Sequence, residues 1–328
     1  MSTTPTQGDG TTVLPPKKSR TGLIVGGVIV VIAAIVAAIL IAVNLNTPAP
    51  VAEEGGNAIT EGLGSVAQPV RIGTVGASEP YWTTFKEAAL DEGISVDIID
   101  FASYPEPNPA LAAGDLDLNQ FQHIVYLGEY EAANDSGIVP IGSTAIYPLG
   151  LYSTKYDSVD EIQAGDTVAI PDDPSNLARG LLILQSAGLI TLDGGGSIFS
   201  TLDEVSADSK VKVTTLDAAL TVTSLPDVAA AIINNDCVTD AGLTASDAIA
   251  QDDPSDPNAL PYVNIWAANA KDADNPVLLK LVEIYQTNQD VLDGVQETSG
   301  GTAVFVKTPV ADLVASLTKV IADNKAQG

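Results

Sequence analysis

Two kinds of hydrophobic pattern run along this chain. The first is unbroken. Thr21 to Val43, TGLIVGGVIVVIAAIVAAILIAV, carries no charged residue. As a helix its 23 residues would reach about 34 Å, enough to cross a bilayer core. A secretory signal core is shorter, about 7–15 residues. Lys17, Lys18 and Arg20 precede the run, and Glu53 and Glu54 follow it. Positive flanks stay in the cytoplasm. The pattern therefore predicts a cytoplasmic tail over 1–20, a transmembrane anchor over 21–43 and everything after it outside. Gly22 and Gly26 form a GxxxG, a weak dimer signal in a helix already rich in Gly and Ala. Residues 44–68, rich in Pro, Gly, Ala and Glu and without a period, read as a flexible linker.

From Pro69 the pattern alternates. VRIGTV reads as a buried strand, YWTTFKEAALDEG as a helix ending at Gly93, and ISVDIIDF as the next strand. NPALAAG reads as a short helix and LDLNQ as a strand end. The rhythm continues to the C-terminus and predicts α/β architecture with parallel or mixed sheets covered by helices. No internal repeat is present. Aromatic residues are uneven: ten of sixteen lie between Tyr81 and Tyr152, and only Phe199 lies between Asp157 and Asn258. Two lobes joined by two crossovers would produce this, with lobe 1 over 69–150 and 259–328 and lobe 2 over 151–258. A single larger aromatic core would also produce it. A cleft between lobes is a common ligand site.

Charge narrows the partners. With 14 Lys and Arg against 42 Asp and Glu, the net charge is −28, which repels nucleic acid. One cysteine, Cys237, excludes an intrachain disulfide, and no cysteine follows the apolar run to take a lipid. One histidine, His123, without HExxH or paired spacing, argues against a metal site. Within IPDDPSNLARGLLILQSAG, Asp173 or Ser175 can cap a helix, Pro174 suits its first turn, and Gly188 suits its end. Asn176 and Arg179 then share a face. Only Arg20, Arg71 and Arg179 carry guanidinium groups. A helix start with an amide and an arginine suits a carboxylate. The plainer alternative is a surface arginine paired with Asp172 or Asp173. Neither Arg71 nor Arg179 is expected to fill the core. In GDLDLNQFQHIVYLGEY, Asn119 can cap a helix with Gln122 closing a capping box. His123, Tyr126, Leu127 and Tyr130 then share one face, and Asp115 and Asp117 read as a solvated face. Nothing around Cys237 resembles a nucleophile elbow or a cysteine-protease signature.

FASYPEPNPALAAGDLDLNQFQHIVYL, GLYSTKYDSVDEI, VAIPDDPSNLARGLLILQSAGLI, AAIINNDCVTDAGL and PYVNIWAA together resemble the methionine-binding lipoprotein family, the solute-binding components of bacterial ABC importers. The resemblance runs from Val70 to about Ala303. It implies a two-lobed periplasmic-binding-protein fold (type II-like) with two crossovers, and L-methionine, a close amino acid or a short peptide as ligand. It also implies an ABC permease with its ATPase as partners, no cofactor and no enzymatic activity. By motif, Arg179 would grip the ligand carboxylate with Asn176 beside it, and Asn234 would hold the amino-acid backbone. Tyr104, Phe121, His123 and Tyr126 would form the aromatic wall around a thioether. Asn119 and Tyr81 join the expected ligand set as neighbours of these motifs. The chain departs from the family in three places: the lipid-bearing cysteine is absent, Cys237 replaces a tyrosine, and GASEPYWTTF replaces a Pro-His stretch. Two rival classes are a cleft hydrolase using His123 and Cys237, and an adhesin or receptor ectodomain with a vestigial cleft.

Overall fold

The structure is a computed structural model and describes residues 58–327. The expected tail, anchor and first part of the linker lie outside them. Among the described residues no helix is long and apolar enough to cross a membrane.

Twelve strands appear in chain order: β1 Val70–Thr74, β2 Val96–Asp100, β3 Leu118–Asn119, β4 Ile138–Ser143, β5 Ala145–Ile146, β6 Gly150–Tyr152, β7 Thr167–Pro171, β8 Lys212–Leu216, β9 Ala230–Ile233, β10 Ala250–Gln251, β11 Ile265–Asn269 and β12 Val304–Phe305. They form two five-stranded mixed sheets, ordered β2-β1-β3-β11-β4 and β10-β6-β9-β7-β8, with β5 and β12 as a small ribbon. In the first sheet β1 runs parallel to β2 and β3, and β11 runs antiparallel to β3 and β4. In the second, β7 is parallel to β8 and β9, while β6 is antiparallel to β9 and β10. The second sheet draws all its strands from residues 150–251, between those of the first. The chain therefore passes between the two lobes twice.

Helices cover the sheets. α1 (Pro80–Asp91) buries Trp82, Phe85 and Ala89 on the first sheet. There Phe85 stacks on Trp266 with ring centroids 5.6 Å apart, and Tyr285 meets Trp266 edge-on. Residues early and late in the chain thus share one core. α2 (Pro107–Ala113) ends at Gly114 in the left-handed region (φ 83°). α3 (Ile124–Asn134) packs on the last helix, Val310–Gln327, at Gly128, where any side-chain carbon would overlap Val320. In the second lobe α4 (Pro174–Ser186) lays Leu181 and Leu184 against Ile170 and Ile232. Strand β7 is buried from Val168 to Pro171, as expected of a parallel strand covered on both faces.

Two expectations need correction here. Asn119 does not cap a helix. α3 begins after His123, whose Nδ1 accepts the Tyr126 N–H at 3.1 Å. Asn119 is instead buried in an amide cluster with Asn108 and Gln122. The linker does not run unattached to residue 68 either. Ile59 N–H donates to Gly93 O at 3.0 Å, Ser95 N–H to Gly64 O at 2.7 Å, and Ile59 and Leu63 pack on the first core. Two apolar side chains in an otherwise polar stretch anchor it.

Candidate functional site

The two crossing segments hold each other. Thr144 N–H donates to Asn264 O, and Asn264 N–H to Ala145 O, each at 2.8 Å. Leu149 N–H donates to Asp252 Oδ1 at 2.8 Å. Beside them lies a narrow cleft of about 30 Å³. Its walls come from both lobes and from the crossings.

Arg179 rises into this cleft from α4. Asp173 caps that helix, accepting the Asn176 N–H at 3.0 Å, and Pro174 occupies the first turn. The guanidinium is buried. Its Nε donates to Asp252 Oδ2 at 2.6 Å, an Nη2 donates to Tyr147 O at 2.8 Å, and Cζ lies 4.4 Å from the Tyr262 ring centroid. Two of its five donors are thus fixed by the crossings, leaving three for an anion. The surface pairing with Asp172 or Asp173 is not seen, and Arg179 is more buried than the sequence suggested. Arg71 pairs with Asp117 at 2.9 Å, outside the cleft. Asp117 is therefore ion-paired, whereas Asp115 is exposed.

Opposite Arg179 stand the aromatics. Tyr104, Phe121 and Tyr126 meet with centroids 5.7–6.0 Å apart. His123 lies edge-on to Tyr126 and Tyr262. Burial, then the Arg179 charge, lowers its pKa to about 3, so the ring is neutral. Because Nδ1 accepts a backbone N–H, the proton sits on Nε2, which faces Asn176 Oδ1 at 3.3 Å. Asn176 Nδ2 donates to both oxygens of Asp173. His123 thus orients Asn176 as part of the wall and has no free nitrogen for base chemistry. Burial also pushes the Cys237 thiol up to about 12, so no thiolate nucleophile forms near neutrality.

Of the nine residues singled out, Arg179, Asn176, Asn234, Tyr104, Phe121, His123 and Tyr126 line this cleft. Asn119 does not, because its amide is spent on Asn108 and Gln122. Tyr81 lines an adjoining chamber of about 20 Å³ that shares Phe121, Tyr147 and Asp236 with the first. Sequence reasoning passed over Tyr147, Asn264 and Asp236, which line both chambers, and Asp252, which holds Arg179. The run NND and the motif PYVNIW offered a signal for Asp236 and Asn264; Asp252 had none. Among the described residues no cluster could hold a metal ion.

Two α/β lobes, a double crossing and a cleft between them define a substrate-binding protein. The NlpA lipoprotein family model matches residues 70–305, and the chain belongs to that family. It is 37% identical over 241 residues to the D-methionine-binding lipoprotein MetQ of Yersinia pestis, covering 72% of this chain and 87% of that protein. It is 37% identical to a nutrient binding protein from Burkholderia cenocepacia solved with methionine bound, over 72% of this chain and 99% of that one, with a TM-score of 0.67. The substrate binding protein of a methionine transporter from Streptococcus pneumoniae is 34% identical, over 73% and 95%, with a TM-score of 0.67.

Proposed function

We propose that this chain is the extracytoplasmic solute-binding component of an ABC importer for methionine or a close amino acid, and that it performs no catalysis. One observation carries the reading: a buried guanidinium, braced by Asp252 and Tyr147 O and with donors to spare, faces an aromatic wall across a cleft between lobes. Arg179 takes the ligand carboxylate with Asn176 beside it, Asn234 takes the backbone, and Tyr104, Phe121, His123 and Tyr126 take the side chain. A thioether against aromatic edges is attracted by about 0.3–1.5 kcal/mol. Ligand contacts to both lobes favour the closed arrangement, which the permease and its ATPase would then engage.

Attachment to the membrane is assigned to residues 21–43 as a single span, with the binding domain outside. Support comes from the charge-free run and from the position of the only cysteine: Cys237 is buried in the second lobe and cannot carry a lipid. Calorimetric titration of the full chain in detergent with L- and D-methionine, norleucine, glutamate and lysine tests the assignment. Methionine and norleucine should bind and the charged amino acids should not. Tight glutamate or lysine binding beside weak methionine binding would overturn it.

A further inference from the structure

The cleft holds a carboxylate that forms no ion pair among the described residues. Asp236 follows β9 and lines both chambers. Its Oδ2 accepts the Tyr104 hydroxyl at 2.8 Å. No described Lys or Arg forms an ion pair with it. The charge that raises its pKa is another acid, Glu79 of the second chamber, whose oxygens accept the Thr239 and Thr298 hydroxyls at 3.4 and 3.3 Å. Two residues before Asp236, the Asn234 Oδ1 is a buried acceptor with no hydrogen-bond partner among the described residues. An unsatisfied buried acceptor and a partly buried carboxylate without a cation both carry a desolvation cost. A donor-only cation would relieve both.

We propose that Asp236 is the anionic acceptor for a primary ammonium group of the ligand, with Asn234 Oδ1 as a second acceptor, at the junction of the two chambers. An ammonium has three N–H donors and no acceptor, which suits the Asp236 carboxylate and the Asn234 Oδ1. Arg179, lining the same cleft, supplies the complementary positive end, so the cleft matches a zwitterion. Burial and Glu79 drive the Asp236 pKa up to about 6, in keeping with a carboxylate that lacks a cation. The ammonium has two possible sources. One is the α-ammonium of a single amino acid. The other is the amino terminus of a dipeptide, whose additional residue requires the second chamber to widen as the lobes part. The inference rests on the amino-acid-binding reading above and names the group that recognises the amine.

The test is calorimetric titration of the full chain in detergent, parent against Asp236→Asn. The probes are methionine, its des-amino analogue and alanyl-methionine. Asparagine keeps the shape and an acceptor for the Tyr104 hydroxyl, so the fold should persist; Asp236→Ser repeats the test if it does not. The variant should bind whichever ammonium ligand the parent prefers at least tenfold more weakly. It should bind the des-amino analogue within twofold of the parent, which also shows that the cleft is intact. The parent's preference between methionine and alanyl-methionine identifies the source of the ammonium. Binding of that preferred ligand within threefold of the parent would overturn the Asp236 assignment and leave the function standing. A parent that binds neither methionine nor the dipeptide would remove the functional reading and Asp236 with it.

Discussion

Replacing Arg179 by alanine should damage both binding and stability, and the structure separates the two. For binding, the change removes one partner of a desolvated hydrogen-bonded charge pair. Such losses run at about 2–5 kcal/mol, roughly 30- to 4,000-fold in affinity. For stability, Asp252 keeps only the Leu149 N–H, and the Tyr147 carbonyl loses its donor. Breaking a fully buried pair costs about 3–5 kcal/mol. The Asp252 side chain is 26% exposed, so water takes up part of the deficit and the loss should be nearer 2 kcal/mol. In a body of this size that lowers Tm by about 4–8 °C.

The assay pairs a ligand-free melt with calorimetric titration of methionine below every variant's transition. Asp252→Asn weakens the brace while keeping the guanidinium, so it should lower Tm but cost less than tenfold in affinity. Arg179→Lys keeps the charge but cannot hold Asp252 and the Tyr147 carbonyl while also presenting a fork to a carboxylate, so it should bind clearly worse than the parent. Arg71→Ala removes equal charge from a half-exposed pair with Asp117, worth about 1 kcal/mol at most, and should leave affinity unchanged. A folded Arg179→Ala protein that binds within about threefold of the parent, under 1 kcal/mol, would refute the carboxylate assignment.

The neutral His123 should show no titration of its ring protons by NMR between pH 5 and 8; an inflection near 6.5, the ordinary histidine value, would refute its placement in a dry wall. Glu129 of α3 is raised from 4.5 to about 8 by burial and then by Asp173. The folded state therefore holds its proton more tightly than the unfolded chain does, and stability is lost as pH rises through this window. Tm should fall between pH 5.5 and 8.5, and Glu129→Gln should flatten that slope. A parent more stable at 8.5, or an unchanged slope in the variant, would contradict the reasoning.

Local signals in this chain were legible wherever the residue that completes a feature is its neighbour. The α4 start is such a case: Asp173 caps, Pro174 opens the turn, and Gly188, at φ 70°, closes the helix. Asn176 and Arg179 followed from helical spacing alone. Legibility failed where the partner is distant. The obvious acids for Arg179 were Asp172 and Asp173; its actual partner, Asp252, lies 73 residues away. Asn119 and Gln122 match a capping box by spacing, yet both amides are claimed by Asn108, 11 and 14 residues back. A buried amide with a fixed partner forgoes the choice of capping a nearby turn. Ile59 and Leu63 could not be told from linker residues, because their packing partners belong to the folded lobe.

The same geometry bears on why a ligand would be needed to hold the lobes together. Across the cleft, polar contacts join them directly: Ser103 to Asp217 at 2.7 Å, Tyr104 to Asp236 at 2.8 Å, His123 to Asn176 at 3.3 Å, Thr239 to Glu79 at 3.4 Å, and the Ser175 backbone to Glu129. Each contributes about 0.5–1.5 kcal/mol net at best, because water satisfies the same groups once the lobes part. Against them stand acids that face one another at the junction, each hydrogen-bonded but without a cation: Glu129 of the first lobe opposes Asp173 of the second, and Glu79 opposes Asp236. A zwitterion would act at both ends of this cleft. Its carboxylate would meet Arg179, which is already tied to both crossing segments through Tyr147 and Asp252. Its ammonium would supply the cation that Asp236 lacks. A ligand lacking either charge leaves one of these terms unchanged, so selectivity for amino acids and lobe closure arise from the same few groups.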